Sequence, residues 1–207
     1  PARAANKIDA YCVAEPFNAL GELRADGEVL RFTGDIWKGH PCCVVCMHEA
    51  DSMDAAREKW AQAGLMAIVQ AQSLIRENRK ETAHLLSRDG KSYLPFPAPV
   101  IERAMIFYDP VFYKGAIQHP QWNQNRIDMN AWPYPAATDI VTEQLKKTVV
   151  TGDTDFLAKL TPDFVSKDLV NYEHVKKATE KYMASWKKDP SIPQTGDPFV
   201  RKEEIAL

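Results

Sequence analysis

Short apolar runs along the first fifty residues predict alternating strands and a helix. The run over residues 9–14 has the apolar and aromatic composition of a strand. Glu15 and Pro16 then begin a helix that runs to about Arg24, because proline is favoured at a first helical position. Two further runs, 29–32 and 42–47, predict strands, the second of them buried. Strand, helix and strand at this spacing are typical of an α/β sheet with parallel neighbours.

After Ser52, which we predict as an N-cap, the pattern becomes helical. One face of the first long helix carries apolar side chains at intervals of three and four, namely Trp60, Ala63, Ala67, Ala71 and Leu74. Further helices are predicted over 79–87, 100–107, 136–150, 155–160, 162–169 and 173–184. The stretch 109–135 is irregular, and loops this long in a compact domain are usually functional.

Composition narrows the class of protein. The chain has 207 residues, 45% hydrophobic and 26% charged, enough to bury a core in one large or two small domains. A net charge of −2 without a basic face argues against nucleic acid as a partner. With no apolar run of membrane-spanning length, we predict no span. The chain opens without Met or an apolar leader, so we expect a processed precursor or a fragment.

Four cysteines could carry chemistry, and three of them lie within five residues. Cys43 and Cys46 have C-x-x-C spacing, with Cys42 beside them and Cys12 distant. We favour packing in a buried strand, where Cys behaves as a small apolar residue. A disulfide and a zinc site stay open as alternatives, although zinc wants four ligands from two separated pairs. We predict no metal site.

Two segments carry a resemblance to a known family. Residues 8–19 read IDAYCVAEPFNA, and residues 33–41 read TGDIWKGHP. Together with the apolar strand and long helix that follow, they resemble the nitrate/bicarbonate/sulfonate-type solute-binding proteins of ABC importers. The match is close over about residues 5–80 and loose beyond. The sequence departs from the family pattern at Phe17, where Trp is common, and at Cys42, where the family has an acid.

The resemblance implies a type II periplasmic-binding-protein-like α/β fold of two hinged lobes. We expect a small parallel-rich sheet at the N-terminal end, followed by a mostly helical C-terminal part. Residues 1–50 would be the remainder of the second lobe with the hinge strand, and 51–186 would be helices of the first lobe. Residues 187–207 would form an extended tail. The N-terminal half of the family fold would be absent from this sequence.

The resemblance also implies where a ligand binds. The expected ligand-binding residues are Glu15, Pro16, Phe17, Asn18, Trp37, Lys38 and His40. The helix that starts at Pro16 offers backbone N–H groups on Phe17 and Asn18 and the positive end of its dipole. Lys38 supplies a compact positive charge, Trp37 a flat apolar wall, and His40 a hydrogen-bond donor.

Each of these residues has a structural alternative. Glu15 could cap the helix, or bind a cation such as the calcium that bicarbonate-type members of the family use. Trp37 could pack in its loop. His40 and His119 each precede a proline and could build turns.

The expected function is capture of a small solute, such as nitrate or bicarbonate, for delivery to an ABC permease in the periplasm. We predict no catalytic residue and no cofactor, because the sequence holds no P-loop, G-x-S-x-G, H-E-x-x-H or dinucleotide fingerprint. Two alternatives stay open. One is a cytoplasmic nitrate/nitrite sensor on the same fold, and the other a pyrimidine-synthesis-like enzyme of the related group.

Overall fold

A computed structural model describes residues 7–25, 27–185, 197 and 200, with the backbone alone for 181–185. The chain forms two compact units. Among the described residues, the first unit contains 7–40 and Leu74–Asp128, and the second contains Pro41–Ser73 together with the described residues from Met129 onward. The predicted tail over 187–207 lies outside the described residues, except for Asp197 and Val200.

Helices account for the regular structure of the described chain. In order they are α1 (Phe17–Arg24), a 3-10 turn (Thr33–Asp35), α2 (Glu49–Ser52), α3 (Ala55–Glu77), α4 (Arg79–Leu86), α5 (Ala98–Ile106), α6 (Pro135–Leu145), α7 (Asp155–Lys159), α8 (Pro162–Phe164), a π-helical turn (Val165–Leu169) and α9 (Glu173–Ser185). The predicted helices are therefore confirmed, although α6 ends five residues early. The irregular stretch 109–135 is also confirmed up to the start of α6.

Asp54, and not Ser52, caps the long helix α3. The Asp54 carboxylate accepts the N–H of Ala56 at 2.8 Å, whereas Ser52 is the last residue of α2. A carboxylate at this position satisfies one of the N–H groups that a helix start leaves without a partner, and it also suits the helix dipole. The N-cap prediction at Ser52 was therefore wrong.

The predicted sheet is not confirmed. Residues 9–14, 29–32 and 42–47 lie in neither helix nor strand, and the β-bridges shown by described residues are isolated ones, at Trp37 and between Lys114 and Ile117. A strand gains its hydrogen bonds from a neighbouring strand. An apolar run indicates where a strand could form, but it does not show which segment would pair with that strand.

The run 42–47 is also not buried, contrary to the prediction. Val44 is 74% exposed and Val45 58% exposed. Cys42, Cys43 and Cys46 are exposed and free, as is Cys12. The prediction that these cysteines serve as packing was wrong, because without partner strands the apolar run has no layer to pack against.

The apolar face predicted for α3 is likewise wrong. The buried residues are Ala61, Val69 and Ser73, which recur at intervals that are multiples of four. Trp60 is 69% exposed and Leu74 50% exposed. Alanine at 63, 67 and 71 is compatible with either the buried or the exposed face of α3. The buried face is the one that packs against α9, where Ala178 contacts Val69.

Among the described residues three apolar clusters lie in the first unit, and two of them bear on the segments that carry the resemblance. Ala19 of α1 packs against Val100 and Ala104 of α5. A second cluster gathers Phe32, Tyr108, Tyr113, Ala116 and Ile117, with the Phe32 ring edge-to-face against both tyrosines at centroid distances of 5.0 and 4.9 Å. The first segment that carries the resemblance thus reaches the core of this unit through Ala19, and Phe32 lies directly before the second.

No helix among the described residues combines the length and the hydropathy needed to cross a bilayer.

Candidate functional site

Arg126 lies at the centre of a buried polar cluster in the first unit. Its side chain is 1% exposed. Nε donates to Oε1 of Glu15 at 2.6 Å, and Nη1 donates to Oε2 of Glu22 at 2.5 Å and to the Tyr113 hydroxyl at 3.0 Å. One guanidinium therefore joins Glu15, two residues before α1, the last turn of α1 and the aromatic cluster.

Glu22 is the second node of this cluster. Its Oε1 accepts the Tyr113 hydroxyl at 2.6 Å and Nη2 of Arg103 at 3.1 Å. Burial pushes the pKa of Glu22 upward, but hydrogen bonds from Tyr113 and Arg103 and the charge of Arg126 hold it below the ordinary value. Burial, together with the hydrogen bond to Glu22, raises the pKa of Tyr113 to about 12.

The charges of this cluster balance. Two carboxylates, Glu15 and Glu22, face two guanidinium groups, Arg103 and Arg126. The cluster therefore presents no surplus positive charge to an anion. It also means that the negative charge of Glu15 is compensated from within the protein, so that Glu15 does not repel an anion bound nearby.

The start of α1 is held by local hydrogen bonds. Oε2 of Glu15 accepts the N–H of Ala19 at 3.1 Å, which confirms the capping alternative for Glu15. The N–H of Phe17 donates to the Ala14 carbonyl at 3.3 Å. The Asn18 amide donates to the Val13 carbonyl at 2.6 Å. Because both Glu15 oxygens accept internal donors, the protein itself occupies the groups that a calcium ion would need.

Asp35 fixes the loop that carries the second segment. It is 0% exposed, and its carboxylate accepts the backbone N–H groups of Gln118 and His119 at 2.8 and 2.7 Å. Arg31 forms a salt bridge with it at 3.1 Å. One buried carboxylate therefore ties the 3-10 turn to the irregular stretch 109–135.

The remaining predicted residues lie on this loop, directly after Asp35. Trp37, Lys38 and His40 are half-buried. Nε2 of His40 lies 2.8 Å from the Thr33 hydroxyl, and its ring centroid is 6.2 Å from that of Trp37. Gly39 has a φ of 62°, a conformation that glycine adopts without the steric cost of a Cβ. The turn therefore places Trp37 and His40 side by side, with Lys38 between them in the chain.

Arg126 also contacts the first segment that carries the resemblance and Phe32, the residue directly before the second segment. Its Cζ lies 5.1 Å from the centre of the Phe32 ring, one residue before the 3-10 turn, while its Nε binds Glu15. Sequence reasoning missed Arg126, because it lies in an irregular stretch without a motif. It also passed over Asp35, although the acid stands inside the TGDIWKGHP segment. Ligand contact by the seven predicted residues stays a prediction.

Within the part of the chain that the structure describes, no group of three or more His, Cys, Asp or Glu side chains is arranged to hold a metal ion.

Comparison with known proteins agrees with the two segments. Residues 2–87 match the NMT1-like family. The resemblance to solute-binding proteins is thereby confirmed, and the family implies a periplasmic-binding-protein-like fold.

Two curated relatives extend this similarity. The chain is 37% identical over 108 residues to the nitrate/nitrite binding protein NrtA of Nostoc sp. strain PCC 7120, covering 48% of this chain and 22% of the relative. It is 27% identical over 200 residues to the nitrate/nitrite binding protein NrtA of Synechocystis sp. strain PCC 6803, covering 92% of this chain and 42% of the relative. The chain thus spans less than half the length of either relative. No solved structure matches it significantly.

Proposed function

We propose that this chain is part of a solute-binding protein that captures a small oxyanion, nitrate first, for delivery to an ABC permease in the periplasm. The observation that carries the proposal is the similarity to a nitrate/nitrite binding protein along 92% of the chain. The relatives are binding proteins and not enzymes, which favours binding over catalysis here.

In this proposal Lys38 is the anion-binding group. It brings a positive charge to the loop that Asp35 fixes, three residues after that buried acid. A half-buried ammonium interacts with an anion more strongly than an exposed one, because solvent screens it less.

The neighbours of Lys38 suit a small flat anion. The indole of Trp37 offers a planar wall, and the ring of His40 a hydrogen-bond donor. The other segment contributes the start of α1, formed by Pro16, Phe17 and Asn18, where the positive end of the helix dipole lies. Arg126 already neutralises the charge of Glu15 there. In this proposal Glu15 acts by holding the start of α1 in place.

The lobe assignment belongs to the same proposal. Residues 1–50 are the remainder of the second lobe with the hinge segment, and 51–186 belong to the first lobe. The rest of the family fold comes from sequence that this chain does not contain. The ligand would then be shared between the residues described above and groups outside the chain.

Isothermal titration calorimetry of the 207-residue chain with nitrate, nitrite and bicarbonate tests the proposal. We expect Lys38→Ala to weaken nitrate binding about tenfold or more, equivalent to about 1.4 kcal/mol. Lys38→Arg should retain part of the affinity, because it keeps the charge. Lys91→Ala is the matched control, since Lys91 is exposed and lies in the same unit.

Equal affinity in Lys38→Ala and Lys91→Ala would remove Lys38 from the site. Absence of heat with all three anions, from a chain whose circular dichroism shows it to be folded, would contradict binding by this chain.

A further inference from the structure

The exposed cysteines form a group that the proposed function does not use. Three of the four, Cys42, Cys43 and Cys46, lie within five residues, and each is exposed and free. The chain passes from the first unit to the second between His40 and Pro41. The three thiols therefore belong to the first residues of the second unit, and because they are exposed a dissolved thiol reagent can reach them.

Distances between Cα atoms decide which two of these cysteines can form an unstrained disulfide. The Sγ atoms of Cys42 and Cys43 are 3.6 Å apart, but adjacent Cα atoms are separated by about 3.8 Å, which is short of the roughly 4.4–6.8 Å that an unstrained disulfide spans. Cys43 and Cys46 are three positions apart. Their Cα atoms are about 10 Å apart in an extended chain but less than about 7 Å apart in a turn.

The segment can form that turn at low cost. Residues 42–47 lie in neither a helix nor a strand, so bending them breaks no helical or ladder hydrogen bond. Val44 and Val45, the two residues that such a turn would enclose, are exposed. Bending the segment therefore removes no buried apolar side chain from a core.

We propose that Cys43 and Cys46 form a reversible disulfide by exchange with a low-molecular-weight disulfide such as oxidised glutathione. The thiolate of Cys43 attacks one glutathione sulfur, which forms a mixed disulfide and releases one glutathione thiolate. The thiolate of Cys46 then attacks the Cys43 sulfur and releases the second. Two protein thiols are oxidised, one glutathione disulfide is reduced to two glutathione molecules, and the two protein protons pass to solvent or to the released thiolates.

Cys42 differs from the other two cysteines of this group in its reactivity. Its hydrogen bond with Cys43, with a smaller contribution from burial, raises the pKa of the Cys42 thiol. The thiolate is the reactive form of cysteine, so Cys42 reacts more slowly and remains a thiol while its neighbours exchange.

Alkylation and peptide mass spectrometry test the proposal on the intact chain. The 207-residue chain is equilibrated with excess oxidised glutathione, quenched with N-ethylmaleimide and digested with trypsin. Cleavage after Lys38 and Arg57 places Cys42, Cys43 and Cys46 in one peptide, and cleavage after Lys7 and Arg24 places Cys12 in another.

We expect the peptide 39–57 to carry one alkyl group in place of three and to lose two hydrogens, with fragmentation locating the remaining alkyl group on Cys42. The Cys12 peptide should stay alkylated, and reduced glutathione should restore all three alkylation sites. In Cys46→Ser the exchange should stop at a glutathione adduct. Cys42→Ser and Cys12→Ser are the controls and should still form the disulfide between Cys43 and Cys46, in Cys42→Ser without an alkyl group on the peptide 39–57.

Three results would overturn the proposal. The first is a peptide 39–57 that keeps three alkyl groups. The second is a disulfide that joins Cys42 to Cys43 or includes Cys12. The third is a disulfide between two chains, seen as a dimer that dissociates on reduction.

Discussion

Replacement of Arg126 by Met gives the sharpest prediction about stability. The side chain is 1% exposed, and its partners Glu15 and Glu22 are 12% and 8% exposed. Methionine fills much of the volume but offers neither charge nor donor, so two buried carboxylates lose the same counter-ion. Removing one partner of a buried ion pair costs about 3–5 kcal/mol.

For a chain of this length, that loss corresponds to a decrease in Tm of about 6–20 °C. Urea unfolding followed by far-UV circular dichroism measures the loss in free energy of unfolding. Arg88→Met is the matched control, because Arg88 is exposed and lies in the same unit, and we expect its effect to stay within about 0.5 kcal/mol.

A double variant separates charge from packing. Adding Glu15→Gln to Arg126→Met removes the carboxylate that loses its counter-ion, since Glu22 keeps its salt bridge with Arg103. We expect this double variant to recover part of the lost stability. A loss below about 1 kcal/mol in Arg126→Met, or no recovery in the double variant, would refute the view that Arg126 holds Glu15 and Glu22 in place through buried charge.

Three further predictions concern the same unit. The lowered pKa of Glu22 contributes stability that is present above its unfolded value of about 4.3 and is lost as the pH falls through the folded value. The Tm difference between the parent chain and Glu22→Gln should therefore shrink on acidification, and a constant difference between about pH 7 and pH 3 would contradict this. Tyr113, with a pKa raised to about 12, contributes stability below about pH 10 that is lost as the pH rises through that folded value. The ultraviolet titration difference between the parent chain and Tyr113→Phe should have its midpoint near pH 12, and a midpoint near pH 10 would refute it. Asp35→Ala should cost about 3–5 kcal/mol and speed hydrogen exchange at the amides of Gln118 and His119, and unchanged protection there would contradict the role of Asp35.

The helical part of the fold could be predicted from local pattern. Periodicity and breakers locate α1, α3, α4 and α5 closely, because a helix satisfies its hydrogen bonds within its own segment. The strands could not be confirmed in this way, since each of them depends on a neighbour elsewhere in the chain. The missing neighbour also explains why the cysteines at 42–46 are exposed. An apolar run of this kind is buried only when it pairs with other strands in a sheet.

The candidate site was predictable where it rests on motif and not where it rests on long-range pairing. Glu15 and Lys38 stand in segments with a recognisable pattern. Arg126 is 111 positions from Glu15, and no motif near it in the sequence indicates that its guanidinium is buried. Likewise, the partners of Asp35 at 118 and 119 lie more than eighty positions away, so its burial follows from the fold alone.

The most direct measurement of the central claim is a nitrate titration followed by the indole N–H resonances of the chain in two-dimensional NMR. We predict a saturable shift of the Trp37 resonance, accompanied by backbone amides of residues 33–40, with Trp60 and Trp132 unchanged. The Lys38→Ala variant should lose this shift at the same nitrate concentration. A Trp37 resonance that does not move, or one that moves equally in both proteins, would contradict anion binding at this loop.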